Sequence, residues 1–95
     1  MNGQMKIVKS ENKPEPIFAN GIGIRLSIFE GRLEFIRETP GADDNEIIQE
    51  TVADIRVSPQ LAKTISLFLQ DHISKYEKQF GDLAALTIPQ GDADV

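Results

Sequence analysis

The 95-residue chain contains no cysteine, which excludes disulfide staples and zinc sites built on thiolates. It has a single histidine, His72, so the paired imidazoles of an HExxH helix are missing too. Uninterrupted apolar runs stop at three or four residues, far short of the roughly 20 that a membrane helix needs, and no span is expected. Basic charge is in deficit: 10 Lys and Arg face 15 Asp and Glu, for a net charge of -5. General attraction to phosphate backbones or anionic lipid is therefore lacking, and neither nucleic acid nor a membrane is an expected partner. The opening stretch MNGQMKIVKSENKPEP has three lysines but no apolar core of seven or more residues. It does not read as a secretory signal, and a cytoplasmic address is the expectation. What is present is 40% hydrophobic residue, before its 7 glycines are counted, and 26% charged residue. That composition is ordinary for a globular protein and too apolar for a disordered chain, so one small folded domain is expected.

The charge is unevenly spread. Residues 1–16 carry +1, residues 17–58 carry -4, residues 59–80 carry +1 and residues 81–95 carry -3. The first 16 residues hold Pro14 and Pro16, many polar groups and one apolar pair, Ile7 and Val8. They read as a flexible arm. Residues 17–83 read as one domain, and residues 84–95 as a partly disordered acidic tail in which Gln90 to Val95 fray.

From Gly21 the pattern alternates, with Ile22, Ile24, Leu26 and Ile28 on one side and Gly23, Arg25, Ser27 and Phe29 on the other, the signature of a half-buried strand. Alternation resumes after Glu30-Gly31 with Leu33 and Phe35 against Arg32 and Glu34. A two-residue turn would pair Phe29 with Arg32, Ile28 with Leu33 and Leu26 with Phe35. Turn chemistry from Thr39 to Asn45 precedes a β-branched segment from Ile47 to Val57, which reads as a third strand. Ser58-Pro59 then opens a helix, Ser as N-cap and Pro at the first helical position. The helix runs to about Phe80, with Lys75 and Lys78 near its negative end and Gly81 as its stop. At 100° per residue, Leu61, Ala62, Ile65, Phe68, Leu69, His72, Ile73, Tyr76 and Phe80 fall within an arc of about 140°, a stripe expected to face the core. Leu67 lies on the opposite side.

No constellation of catalytic residues stands out. His72 sits within the apolar stripe without a second His or a Cys to accompany it, so it reads as a packed core residue. Asp43, Asp44, Asn45 and Glu46 suggest a calcium loop, but the sixth position, which an EF-hand fills with glycine, is Ile48. Gly21 and Gly23 form a G-x-G whose third dinucleotide glycine would fall at Leu26, in a segment that opens a strand and not a helix. Glu30 and Glu34 lack the cleft that would shift one of two carboxylates. The arginines 25, 32, 37 and 56 are interleaved with glutamates and read as cross-strand ion pairs. Neither an enzyme, a cofactor nor a metal is expected from these residues.

The segments Phe18-Ala19-Asn20, Ser27-Ile28-Phe29-Glu30, Leu33-Glu34-Phe35, Val57-Ser58-Pro59, Ala62-Lys63, Tyr76-Glu77 and Phe80-Gly81 together resemble the small family called domain of unknown function 3467. The strongest part runs from RVSPQLAK to KYEKQFGDL, and the resemblance covers residues 17–83, leaving arm and tail outside. It implies a compact β-β-β-α unit of prokaryotic origin and brings no activity, cofactor or catalytic residue with it. Where the family has Pro before Phe29, this chain has Ile28.

The expected fold is α+β: a three-stranded antiparallel β-meander followed by one long C-terminal α-helix packed on one sheet face. The other face and both edges would remain open, so a homo-oligomer, dimer or larger, is expected, with an unknown protein partner. Arg25, Phe29, Ile36, Val52 and Leu67 are the candidate oligomer or partner surface. The leading functional expectation is a non-enzymatic protein-interaction module. A SecB-like chaperone-type binder of unfolded clients is the alternative, ahead of a nucleic-acid-associated regulator or an enzyme.

Overall fold

The structure, a computed structural model, describes residues 3–86. Its element order is β1 (Gly21–Leu26), β2 (Gly31–Pro40), β3 (Ile47–Val57) and α1 (Pro59–Phe80). The strands form one antiparallel sheet in the order β1-β2-β3, with both outer strands as open edges. The α+β reading stands. Met1 and Asn2 of the expected arm and Gln90 to Val95 of the expected tail lie outside the described residues, as do Thr87, Ile88 and Pro89.

The first hairpin departs from the expected register. Leu26 pairs with Gly31, Ile24 with Leu33 and Ile22 with Phe35, and four residues, 27–30, connect the strands. The cause is Ser27. Its hydroxyl oxygen accepts from the backbone N–H of Phe29 at 3.1 Å and of Glu30 at 3.2 Å, and its own N–H donates to the Glu30 carbonyl at 2.9 Å. These local bonds compete with the ladder and end β1 at Leu26. Ile28 and Phe29 are thereby taken out of the sheet and left exposed at the tip. Because each strand has moved by an even number of residues, the same side chains keep the same faces. Ile22, Ile24, Leu26, Leu33 and Phe35 share one face with Ala53, Ile55 and Val57 of β3.

The second hairpin has an irregularity. Phe35 pairs with Ala53 but Ile36 pairs with Thr51, so Val52 is the extra residue of a bulge. The turn before β3 is closed from within: the Gly41 N–H donates to the Glu46 carbonyl at 2.8 Å, and the Ala42 N–H donates to the Glu46 carboxylate at 2.9 Å. A Cβ on Gly41 would collide with that folded-back Glu46 side chain. On the other side, the Asn20 side chain continues the sheet beyond β1, accepting from the Glu38 N–H at 2.7 Å and donating to the Glu38 carbonyl at 3.1 Å.

The helix is capped as expected. The Ser58 hydroxyl accepts from the Leu61 N–H at 3.1 Å, and Pro59 follows it. At the other end Gly81 has φ 99° and donates its N–H to the Glu77 carbonyl, a conformation side chains resist. The Glu77 carboxylate then accepts from the Leu83 N–H at 2.9 Å.

The expected packing of this helix on its own sheet is not found. No residue of α1 is buried, and the described residues contain no buried hydrophobic side chain at all. The radius of gyration is 17.6 Å and the extents are 66 × 33 × 32 Å, against about 12 Å for the radius of a compact chain of this length, and the exposed segment of residues 3–18, which has no strand or helix, contributes to them alongside the helix. The helix leaves the sheet through a short connection: one residue, Ser58, joins β3 to α1, where a strand-to-helix loop ordinarily takes about two to six. Helix and sheet meet at the root. A Cβ on Gly31, the sole buried residue among those described, would lie 3.2 Å from Val57 Cγ2, 3.3 Å from Leu26 Cδ1 and 3.4 Å from Ala62 Cβ. Absence of a side chain at Gly31 lets β1, β3 and the first turn of α1 converge there.

Candidate interaction surface

Two chemically different sheet faces follow from the register. One carries Arg25, Arg32, Glu34, Ile36, Asp54 and Arg56. Arg32 donates from Nε and Nη2 to the Asp54 carboxylate at 3.0 and 2.7 Å, a two-pronged pair, and also lies 3.9 Å from Glu34. The hydrogen bond from Arg32 holds the Asp54 carboxyl below the usual aspartate value, against a smaller opposing effect of desolvation. The same bond raises Arg32. Arg56 stands 3.8 Å from Glu30. The expected pairing of arginines and acids is found on this face, and on the opposite face, two residues beyond Phe35, Arg37 stands 3.6 Å from Glu50.

The other face is apolar and open. Ile24 is 62% exposed, and Leu26 and Ile55 are exposed as well. Along α1, Leu61, Phe68, Leu69, Ile73, Tyr76 and Phe80 are all exposed, Phe68 and Phe80 to 66%. Tyr76 and Phe80 stack one turn apart with ring centroids 4.9 Å apart. The expected stripe is thus present, but it is a surface.

His72 lies on that surface and not in a core: it is exposed, and its Nδ1 is 2.8 Å from the Phe68 carbonyl one turn earlier. With the proton on Nδ1 it donates to that oxygen, so its nearest partner is its own helix. Replacing it with Asp would not bury an unpaired charge inside the isolated chain, as a core position would require.

The five candidate surface residues, four of them expected on the sheet and Leu67 on the helix, occupy the following places. Arg25 lies on the polar face of edge strand β1, opposite Arg32. Ile36 is on the same face, paired with Gly21 and Thr51. Val52 is the half-buried bulge residue. Phe29 is at the tip of residues 27–30 and not on the sheet, because Ser27 turns the chain before it. Leu67 is exposed on the side of α1 away from the stripe. The residues that make up the two exposed apolar surfaces are legible as apolar positions, which periodicity alone reads as an internal core. The signal that separates these readings is the single residue between Val57 and Pro59.

Among the described residues no three or more His, Asp or Glu side chains gather so as to hold a metal ion. No described helix is long and apolar enough to cross a membrane.

A three-stranded open sheet with a capped helix projecting from one corner, apolar on unpartnered surfaces of both, defines a small α+β unit. The chain belongs to the family described as "Protein of unknown function (DUF3467)", whose match covers residues 1–85. The match starts at residue 1, so the arm lies inside the family and not outside it as the resemblance of residues 17–83 implied. Comparisons with curated proteins and with solved structures found no match.

Proposed function

We propose that this protein is a non-enzymatic, homo-oligomeric protein-interaction module. The observation that carries the reading is the exposure of apolar side chains on two surfaces, the stripe of α1 and one face of the sheet, with no buried hydrophobic side chain among the described residues. Apolar surface on this scale drives association, because its removal from water contributes roughly 25 cal/mol per Å². Contiguous exposed patches of this kind mark contact sites. Sedimentation equilibrium tests the reading: a dimer or larger species is expected at micromolar concentration, and a monomer at high micromolar concentration removes it.

The same exposed stripe, with its aromatic end at Tyr76 and Phe80, supports a second reading in which the surface takes unfolded client segments, as a SecB-like chaperone does. The two differ in what occupies the stripe. Suppression of aggregation of a chemically denatured client at stoichiometric ratio is expected only under the second.

A further inference from the structure

We infer that the occupant of the α1 stripe is a second copy of this chain, and that the two copies exchange helices: α1 of each lies across the apolar sheet face of the other. This rests on the oligomer reading above and specifies its geometry.

The first argument is area. The exposed side chains of the two surfaces, of which Phe68 and Phe80 at 66%, Ile24 at 62% and Leu69 at 56% are the most open, together present on the order of 800 Å² per chain, about what each partner contributes to a standard interface. A partner that covers both surfaces buries that area, and one that covers a single surface does not.

Arrangement decides among the ways two copies can meet. Pairing helix to helix would leave Ile24, Leu26 and Ile55 in water; pairing sheet to sheet would leave Phe68, Leu69, Ile73 and Tyr76 there. Exchange covers both sets by one two-fold operation. The dimensions agree: the 22 residues of α1 span about 33 Å, and the 10 and 11 residues of β2 and β3 span about 33 to 37 Å. The one-residue connection at Ser58 directs α1 away from its own sheet and leaves it free for the neighbour's.

The absence of cysteine makes the test clean. Ile24→Cys and Leu69→Cys chains, full length and distinguishable by mass, are folded together and treated with a short bis-maleimide. Exchange predicts a covalent dimer containing one chain of each kind. It should form on the order of a hundredfold faster than with Leu67→Cys in place of Leu69→Cys, because groups held in one complex meet at millimolar effective concentration. The pair Ile55→Cys with Phe68→Cys repeats the measurement on another strand should either first variant fail to fold. Intrachain linkage in an Ile24→Cys/Leu69→Cys chain would overturn the exchange, as would Leu69→Cys linking only to itself. Sedimentation of the unsubstituted chain separates the failures: a dimer with the wrong linkage overturns the exchange alone, and a monomer overturns the oligomer with it.

Discussion

The three strands satisfy their backbone groups by pairing with one another, and across their polar face Arg32, Asp54, Arg56 and Glu30 pair as ions. Helix α1 satisfies its backbone within itself, closes both ends with Ser58 and Gly81, and touches the sheet at its root, over Gly31. Both regions are regular, yet only the sheet obtains its regularity from contacts distant in sequence. A helix of 22 residues can be well formed locally and still depend on packing for most of its stability in water. The comparison teaches that local signals and tertiary burial are separate requirements, and that in this chain α1 meets the first without the second.

The comparison breaks most severely at the stripe. Leu69→Lys should dissociate the proposed oligomer. Loss of one leucine's burial costs about 1.5 to 3 kcal/mol, and a two-fold dimer loses it twice, about 3 to 6 kcal/mol in all. That corresponds to a rise in Kd of about a hundredfold or more, read by sedimentation equilibrium. Leu67→Lys, on the opposite side of the same helix, should change assembly and stability by no more than about 0.5 kcal/mol. If Leu67→Lys alone dissociates the protein, the interacting face of α1 is the other one.

The root joining the two regions comes next. Gly31→Val places atoms where Val57, Leu26 and Ala62 already converge, and overfilling of that kind costs about 1 to 3 kcal/mol. Chemical denaturation should show the loss. An unchanged midpoint would mean that helix and sheet are not held together there.

A smaller effect sharpens the local side of the comparison. Ser58→Ala removes the acceptor for the Leu61 N–H and should cost about 1 kcal/mol. Because the cap is local, far-ultraviolet circular dichroism should report lower helicity while the sheet signal stays.

The smallest expected effect belongs to the sheet. The pKa of Asp54 is lowered in the folded chain by its hydrogen bond to Arg32, so the stability it contributes is fully present above the ordinary aspartate value of 3.8. It is lost as pH falls below that value and through the lowered folded one. Thermal melts of Asp54→Asn should be flatter across that acid range than those of the unsubstituted protein. Equal slopes would show that the Arg32 pair does not couple to folding.

The elements themselves were legible because their causes are short-range. β3 occupies Ile47–Val57 and α1 occupies Pro59–Phe80, where β-branched alternation, the Ser58-Pro59 start and Gly81 place them. The hairpin register was not legible to the residue, since the Ser27 hydroxyl competed with the ladder and a Glu-Gly pair is a weak turn. Nor was the place of Phe29, which follows from that register. Periodicity identified the stripe of α1, and it cannot say what the stripe faces: an angular pattern of apolar residues is the same whether the covering surface lies in the same chain or in another.

What this sequence determined by itself is therefore strand, helix, cap and face, each set by neighbours a few residues away. Only the tertiary structure decided that α1 leaves its own sheet, that His72 and the leucines and phenylalanines around it are surface and not core, and that Phe29 stands at the hairpin tip and Val52 at a bulge. The physical reason is that a single residue, Ser58, sets the direction of a rigid helix about 33 Å long. Over that length, a small change in dihedral angle at Ser58 separates packing on the sheet from projection away from it.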